Sequence, residues 1–327
     1  MVEYKVPTGS IFVLQGSKGK VECLSLGDYG QAVNLNQHKP VVNGLPLLPL
    51  TEKWVATLST QYGCSMGCKF CDVPKVGPGI NLTCDDLKLQ LRTILNREDV
   101  PDHSKRLNVH FARMGEPTWN EDVLEFTEHT LAHPDMLSTY NVHPVVSTMM
   151  PRGNKKLEPF LHTWMRFKND LFEGNAGLQL SINSTDEAER AIMFNNNALQ
   201  LNILALVVKH LKPLGRKITL NFAVAGYTVD TDLLAKLFSP DRFIVKLTPM
   251  HKTSSALANS ITTSGDYTTP EPYEELEYRF QKSGFETLVF IASEDEDLGR
   301  ITCGNAILSG SLPNKYSVNV DAVKCLR

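Results

Sequence analysis

Three cysteines within eight positions constrain this chain more than any other feature. The segment GCSMGCKFC sets Cys64, Cys68 and Cys71 at CxxxCxxC spacing, directly after the β-rich run WVATLST. One loop leaving a strand can therefore fold three thiolates around a single inorganic centre. A [4Fe-4S] cluster held by three cysteines keeps one iron without a protein ligand. A structural zinc site is the competing reading, but it wants a fourth Cys or His; none lies in 72–76, and Cys84 is the nearest candidate. Gly63 and Gly67 suit a loop whose backbone must come close to sulfides.

The remaining cysteines, Cys23, Cys84, Cys303 and Cys325, bring the total to an odd seven, a poor disulfide framework for 327 residues. Reduced thiols that bind metal or react fit better. The open iron is what S-adenosylmethionine (SAM) needs, because its amino and carboxylate groups can chelate that corner before an electron breaks the sulfonium bond.

From residue 54 onward, the runs WVATLST, LNVHFARM, NVHPVVST, LQLSIN, ITLNFAVA and FIVKLTPM alternate with amphipathic stretches. That rhythm predicts repeated βα units around a parallel sheet. Six units are fewer than the eight of a closed barrel, so the fold class is α/β, a partial (β/α)6 TIM-like barrel with chemistry at the C-terminal strand ends. Helices are predicted over 83–96, with Thr83 as N-cap, over 120–133 and over 198–211. Residues 1–50 read as a small N-terminal β extension of two strands joined by the GSKGK turn, and 51–327 as the core with its C-terminal segment. The opening has no signal-peptide pattern and no run suits a bilayer, so the expectation is a cytoplasmic protein without a membrane partner. The net charge of −3 gives no global basic field for phosphates.

Several motifs, in order, make the chain resemble the RlmN/Cfr family, radical SAM methyltransferases that methylate adenine in RNA. RMGEPTWN is similar to the family's GEP segment, which implies that Gly115 and Glu116 contact the SAM amino group. VVSTMM points to Ser147, LQLSINSTDE to Ser181 and Asn183, and VKLTPMH to His251 as further SAM contacts, His251 standing where the family carries Asn. KVECLSL resembles the segment of the family's general base, implying Glu22 as proton acceptor. GRITCGNAIL is similar to the segment whose cysteine carries a methyl group, implying Cys303 as the carrier.

The resemblance implies a [4Fe-4S] cluster and SAM as cofactors, an RNA substrate (rRNA or tRNA) or a smaller adenine-containing one, and a flavodoxin-type electron donor. Hydrogen abstraction from a small molecule or peptide, without methyl transfer, is the alternative.

Three departures stand out. The family's second cysteine, seven residues before the first cluster ligand, is replaced by Thr57, for which Cys84 or Cys23 could substitute. The acidic run EDEDLG replaces the Arg-Gly pair before the carrier, and the family's N-terminal helical domain has no counterpart in residues 1–50. His129 and His133, four apart, read as surface residues rather than metal ligands, the acidic run 294–297 as a solvated loop, and Cys325 as an ordinary thiol. Trp119, next to GEP, is a candidate substrate contact.

Overall fold

The computed structural model describes residues 1–28, 47–133, 137–262 and 271–319; Cys325 lies outside them. Three strands come first: β1 (Val2–Val6), β2 (Gly9–Gln15) and β3 (Lys20–Gly27), joined as antiparallel neighbours. The sequence predicts two strands there, and the second expectation, a hairpin turn at GSKGK, is met by Gly16 N–H donating to the Gly19 carbonyl at 2.8 Å. β3 pairs antiparallel with β4 (Trp54–Leu58), so the extension continues the barrel's own sheet.

Past the short hairpin of β5 (Gln61–Gly63) and β6 (Pro78–Asn81), the parallel strands are β7 (Ser104–Phe111), β8 (Tyr140–Thr148), β9 (Gly177–Ser181), β10 (Ile218–Val224) and β11 (Phe243–Pro249). They match the predicted runs. A short β12 (Thr287–Val289) adds another parallel strand, and β13 (Ser317–Asn319) pairs with β1. The sheet runs β12-β11-β10-β9-β8-β7-β4-β3-β2-β1-β13, and among the described strands its two ends do not pair, which leaves the barrel open.

Period-two burial sorts each strand between two faces. Trp54, Ala56 and Leu58, with Leu107, Val109 and Phe111, pack into the main core under the helices. The residues between them, Thr57 on β4 and Asn108 and His110 on β7, therefore face the concave interior, followed around the sheet by Ser147, Gln179 and Asn221. The core is outside the barrel wall, and the polar residues are inside.

The first predicted helix is Cys84–Leu95, capped by Thr83, whose Oγ1 accepts from Asp86 N at 3.2 Å while Asp86 Oδ2 accepts from Thr83 N at 3.1 Å. Asp86 also takes the Ser17 amide and hydroxyl, at 2.8 and 2.7 Å, which pins the β2–β3 turn to the helix. The second is Asp122–Phe126 running on as a wider-wound segment, Thr127–Leu131, and the third is Leu201–Val208. Among the described residues no helix is long and apolar enough to cross a membrane.

Candidate active site at the strand ends

The three cysteines lie on one loop after β5, and the chain fastens that loop from several sides. Gly63 has φ +74, and a Cβ there would stand 2.1 Å from the Gly77 carbonyl oxygen, so only glycine fits the approach. Asn197 Nδ2 donates to the Met66 carbonyl at 2.7 Å, and Thr253 Oγ1 donates to that of Phe70 at 2.6 Å. Asp72, directly after Cys71, is the main anchor: it accepts from Lys75 Nζ at 2.8 Å and from the Ser255 amide and hydroxyl at 2.8 and 2.7 Å. Burial by itself would raise its pKa, but the bonds from Lys75, Ser255 and Ser254 outweigh that and hold it at about 2. It is a permanent carboxylate under the cysteine loop, and sequence reading passed it over.

Burial pushes the Cys64 thiol up to about 11, although the backbone of Met66 and Gly115 hydrogen-bonds its sulfur. Cys68 is pushed well up by burial first and then by Cys71, Cys64, Glu116 and Cys303, and Cys71 by burial first and then by Cys64 and Cys303. Four sulfurs are thus within electrostatic reach of each other. Among the described residues, no three His, Cys, Asp or Glu converge tightly enough to hold one metal ion. A cubane is wider than an ion, so its ligand sulfurs stand farther apart. Thiols that resist ionisation together, on a loop with glycine-opened backbone, fit a positively charged iron-sulfur core that would draw the protons off.

Glu116 stands above this loop, buried at 3% exposure. Its Oε1 accepts from Thr118 N and Oγ1 at 3.1 and 2.8 Å, and its Oε2 from Met149 N at 3.0 Å. Burial raises its pKa against those bonds. Gly115, at φ +96, brings a Cβ position 2.6 Å from Gln61 Cβ, a second place where only glycine passes. Ser147 and Ser181 are half-buried on the concave face. Asn183 is already engaged, its Oδ1 accepting from Ala223 N at 2.9 Å and its Nδ2 meeting Met193 Sδ at 3.3 Å, so it braces the end of β9. His251 follows β11 with its Nδ1 buried and without a hydrogen bond, 3.6 Å from Asp297 Oδ1. Burial lowers its pKa, against the pull of Asp297.

No family model matches the chain. Curated relatives do. A Sorangium cellulosum protein named dual-specificity RNA methyltransferase RlmN is 30% identical over 202 residues, 59% of this chain and 48% of its own length. The RlmN of Sulfurovum sp. is 27% identical over 168 residues, 51% of this chain and 43% of its own. This chain thus spans about half the length of these relatives. Among solved structures, a radical SAM methyltransferase from Sphaerobacter thermophilus superimposes with TM-score 0.62 over 91% of this chain and 77% of that one, at 17% identity, which shows a common fold. The chain is similar in sequence to proteins named RlmN and shares the fold of a radical SAM methyltransferase.

The remaining expectations of an RlmN-like site fare unequally. Cys303 is solvent-accessible in a deeply ringed position: burial raises its pKa, while Lys246 and Arg113 pull it down. Its neighbour Gly304 stands against Phe70 and Cys71, and the Gly304 carbonyl accepts from Asp72 N at 2.8 Å. The segment carrying Cys303 is therefore tied directly to the cysteine loop.

Glu22 differs from the expectation of a waiting proton acceptor. Its Oε2 accepts from Arg113 Nε and Nη2 at 2.9 and 2.6 Å, and its Oε1 from Leu308 N at 2.6 Å. Arg113 in turn donates to the Arg300 carbonyl at 2.9 Å. This fully buried pair ties β3 to the segment carrying Cys303. Thr57 faces the interior at 7% exposure, but the proposed substitutes do not reach it. Cys23 points to the opposite face of β3, its Sγ 3.9 Å from the Gln90 carbonyl, and Cys84 packs in the same outer core.

The acidic run is a helix, Glu294–Leu298, rather than a loop: Ser293 and Glu296 form a capping box, whose spacing the sequence already displays. Asp297 is buried there and accepts from Thr302 Oγ1 at 2.9 Å and Lys252 N at 3.1 Å, joining His251's loop to the Cys303 segment. His129 is exposed, and Trp119 donates to Met66 Sδ at 3.4 Å beside the cysteine loop.

Proposed function

We propose that this chain is a radical SAM methyltransferase in which Cys303 carries a methyl group to an adenine carbon of RNA. The seating of Cys303 carries the reading: an accessible thiol stands beside the three that would hold the cluster, fixed there through Gly304 and Asp72. The names of the matched relatives agree with it.

When bound, the [4Fe-4S] cluster supplies the electron that opens the sulfonium bond of SAM and so the carbon radical the reaction needs. Cys64, Cys68 and Cys71 would hold that group, and Asp72 holds their loop. Glu116 keeps lone pairs beyond those its neighbours occupy, and a carboxylate at the site accepts readily from the SAM ammonium. Ser147, Ser181 and the orphaned ring nitrogen of His251 offer polar partners around the cosubstrate, with Asn183 shaping the strand end. An aromatic amidine carbon is electrophilic, so it resists simple attack on SAM, whereas a radical on a thioether methyl at Cys303 can add to it.

Glu22 serves as a positioning group that holds Arg113 beside Cys303. Thr57 offers a hydroxyl where the family has a thiol. RNA, from the ribosome or tRNA, is the substrate and a flavodoxin-type protein the electron donor.

Anaerobic incubation with methyl-labelled SAM, a reductant and RNA tests this. Methyl on Cys303 by peptide mass spectrometry, label in RNA, and loss of both in Cys303→Ala are expected. Label confined to small molecules, with unmodified Cys303, would instead indicate hydrogen abstraction without methyl transfer.

A further inference from the structure

Below the strand ends, the concave face holds a group of cations that the chemistry above does not use. Asn108 on β7 stands opposite His143 on β8, and Arg106 Nε donates to Asn108 Oδ1 at 3.1 Å. Two residues along β8, on the same face as His143, Val145 pairs with Gly177 of β9. A Cβ on Gly177 would stand 3.0 Å from Arg216 Nη1, so the missing side chain makes room for that guanidinium. Arg106, His143 and Arg216 therefore share one patch of the barrel wall.

The patch lacks its counter-charge. Lys53 is paired with Asp28 at 2.9 Å, whereas among the described residues Arg106 and Arg216 have no carboxylate within ion-pair distance. His143 is 8% exposed, and its Nε2 is buried without a hydrogen bond. Neighbouring charges register the surplus: burial lowers the pKa of Arg216 and Arg106 lowers it further, and His143 is held at about 4 by burial and then by both arginines. Like charges sharing a half-buried face, next to an orphaned polar atom, are costly unless a ligand of opposite sign completes them.

We propose that Arg106, Arg216 and His143 form a binding site for a phosphate monoester or inorganic phosphate inside the lower barrel, apart from the SAM site. Two guanidinium forks match the anionic oxygens of a tetrahedral oxyanion. The His143 ring already bonds the Asn175 backbone, in the sense that raises its pKa, as a bond to a carbonyl does, which leaves Nε2 as an acceptor. A monohydrogen phosphate supplies both things the patch lacks: oxygens for the arginines and one O–H for Nε2. A phosphate monoester carries that proton as its monoanion, which its second pKa of about 6 keeps in reach near neutral pH, whereas carboxylates and phosphodiesters lose theirs far below that pH and satisfy only the arginines.

The full chain, purified anaerobically, is titrated with inorganic phosphate, a nucleoside 5′-monophosphate, acetate, and an RNA oligonucleotide without terminal phosphates, all at matched ionic strength. Phosphate and the monophosphate are expected to raise the melting temperature by about 3–6 °C at 100-fold excess over Kd, and acetate to do less. Arg216→Gln is expected to melt higher than the parent without ligand, because a buried unpaired cation is gone, and to lose the phosphate-dependent rise. His143→Phe keeps the arginines and should erase the preference for phosphate over acetate. The proposal is overturned if phosphate does no more than chloride, if Arg216→Gln keeps the full rise, or if only the oligonucleotide binds.

Discussion

The two levels of one barrel interior are built on opposite electrostatic plans. At the strand ends, four thiols, Glu116 and the permanently ionised Asp72 gather with few cations, and burial presses the thiols towards their neutral forms. Lower down, burial and then Arg216, Lys246 and Arg106 lower the pKa of His110, while burial and then Arg106 and Arg216 lower that of His143. The same parallel strands carry both, so the difference comes from position along the strand rather than from separate domains. Burial of neutral thiols above suits a cationic centre, and unpaired cations below suit an anion.

The largest way to break the contrast is at the top. Cys68→Ala removes one ligand of three, and complete loss of SAM cleavage is expected, read as 5′-deoxyadenosine formed under reducing conditions; retained turnover would show that the thiol is not a ligand. Next is the strut between the levels. Arg113→Ala leaves Glu22 as an uncompensated buried charge, and a loss of about 3–5 kcal/mol in denaturant unfolding is expected. The paired variant Glu22→Gln with Arg113→Met should recover much of it, whereas a similar loss in both would place the effect outside the pair.

Glu116→Gln keeps the shape and removes the charge, so SAM affinity by equilibrium dialysis should fall about 10- to 100-fold. An unchanged affinity would remove Glu116 from the SAM contacts.

The smallest effect sharpens the lower level. His110 is held at about 3 and His143 at about 4, against about 6.5 in an unfolded chain. Their folded pKa values are depressed, so below pH 6.5 the unfolded chain takes up protons the folded one refuses. Stability should therefore fall as pH drops from about 6.5 to about 4, by at most about 1.4 kcal/mol per pH unit for each ring, and stay flat in this respect above 6.5. His110→Gln should flatten part of that slope in urea titrations; an unaltered slope would mean the ring protonates freely in the fold.

Much of the upper level could be read from residues alone, because its chemistry is local. The cysteine spacing and the Thr83 cap each act within a few positions, and the cap forms where the sequence puts it. The strand runs were legible for the same reason, as alternation is a local signal. What was not legible depends on side chains meeting across the sheet. Glu22 shows the difference: its sequence context suggests a free base, and only the β3-β4-β7 arrangement of the sheet brings Arg113, just past β7, onto it. Asp72 and Asp297 act through partners about 180 and 45 residues away. The lower cations are single residues on separate strands, with no shared motif. Cys23 misled because adjacent residues on a strand face opposite ways.

One measurement bears most directly on the central claim that Cys64, Cys68 and Cys71 hold a cubane with an open corner. After anaerobic reconstitution, iron and sulfide are counted and the reduced protein is examined by electron paramagnetic resonance with and without SAM. The account predicts about four irons and four sulfides per chain and a cluster signal that changes when SAM is added, both lost in the triple Cys→Ala variant. A colourless protein holding a single zinc, or a cluster signal indifferent to SAM, would contradict it.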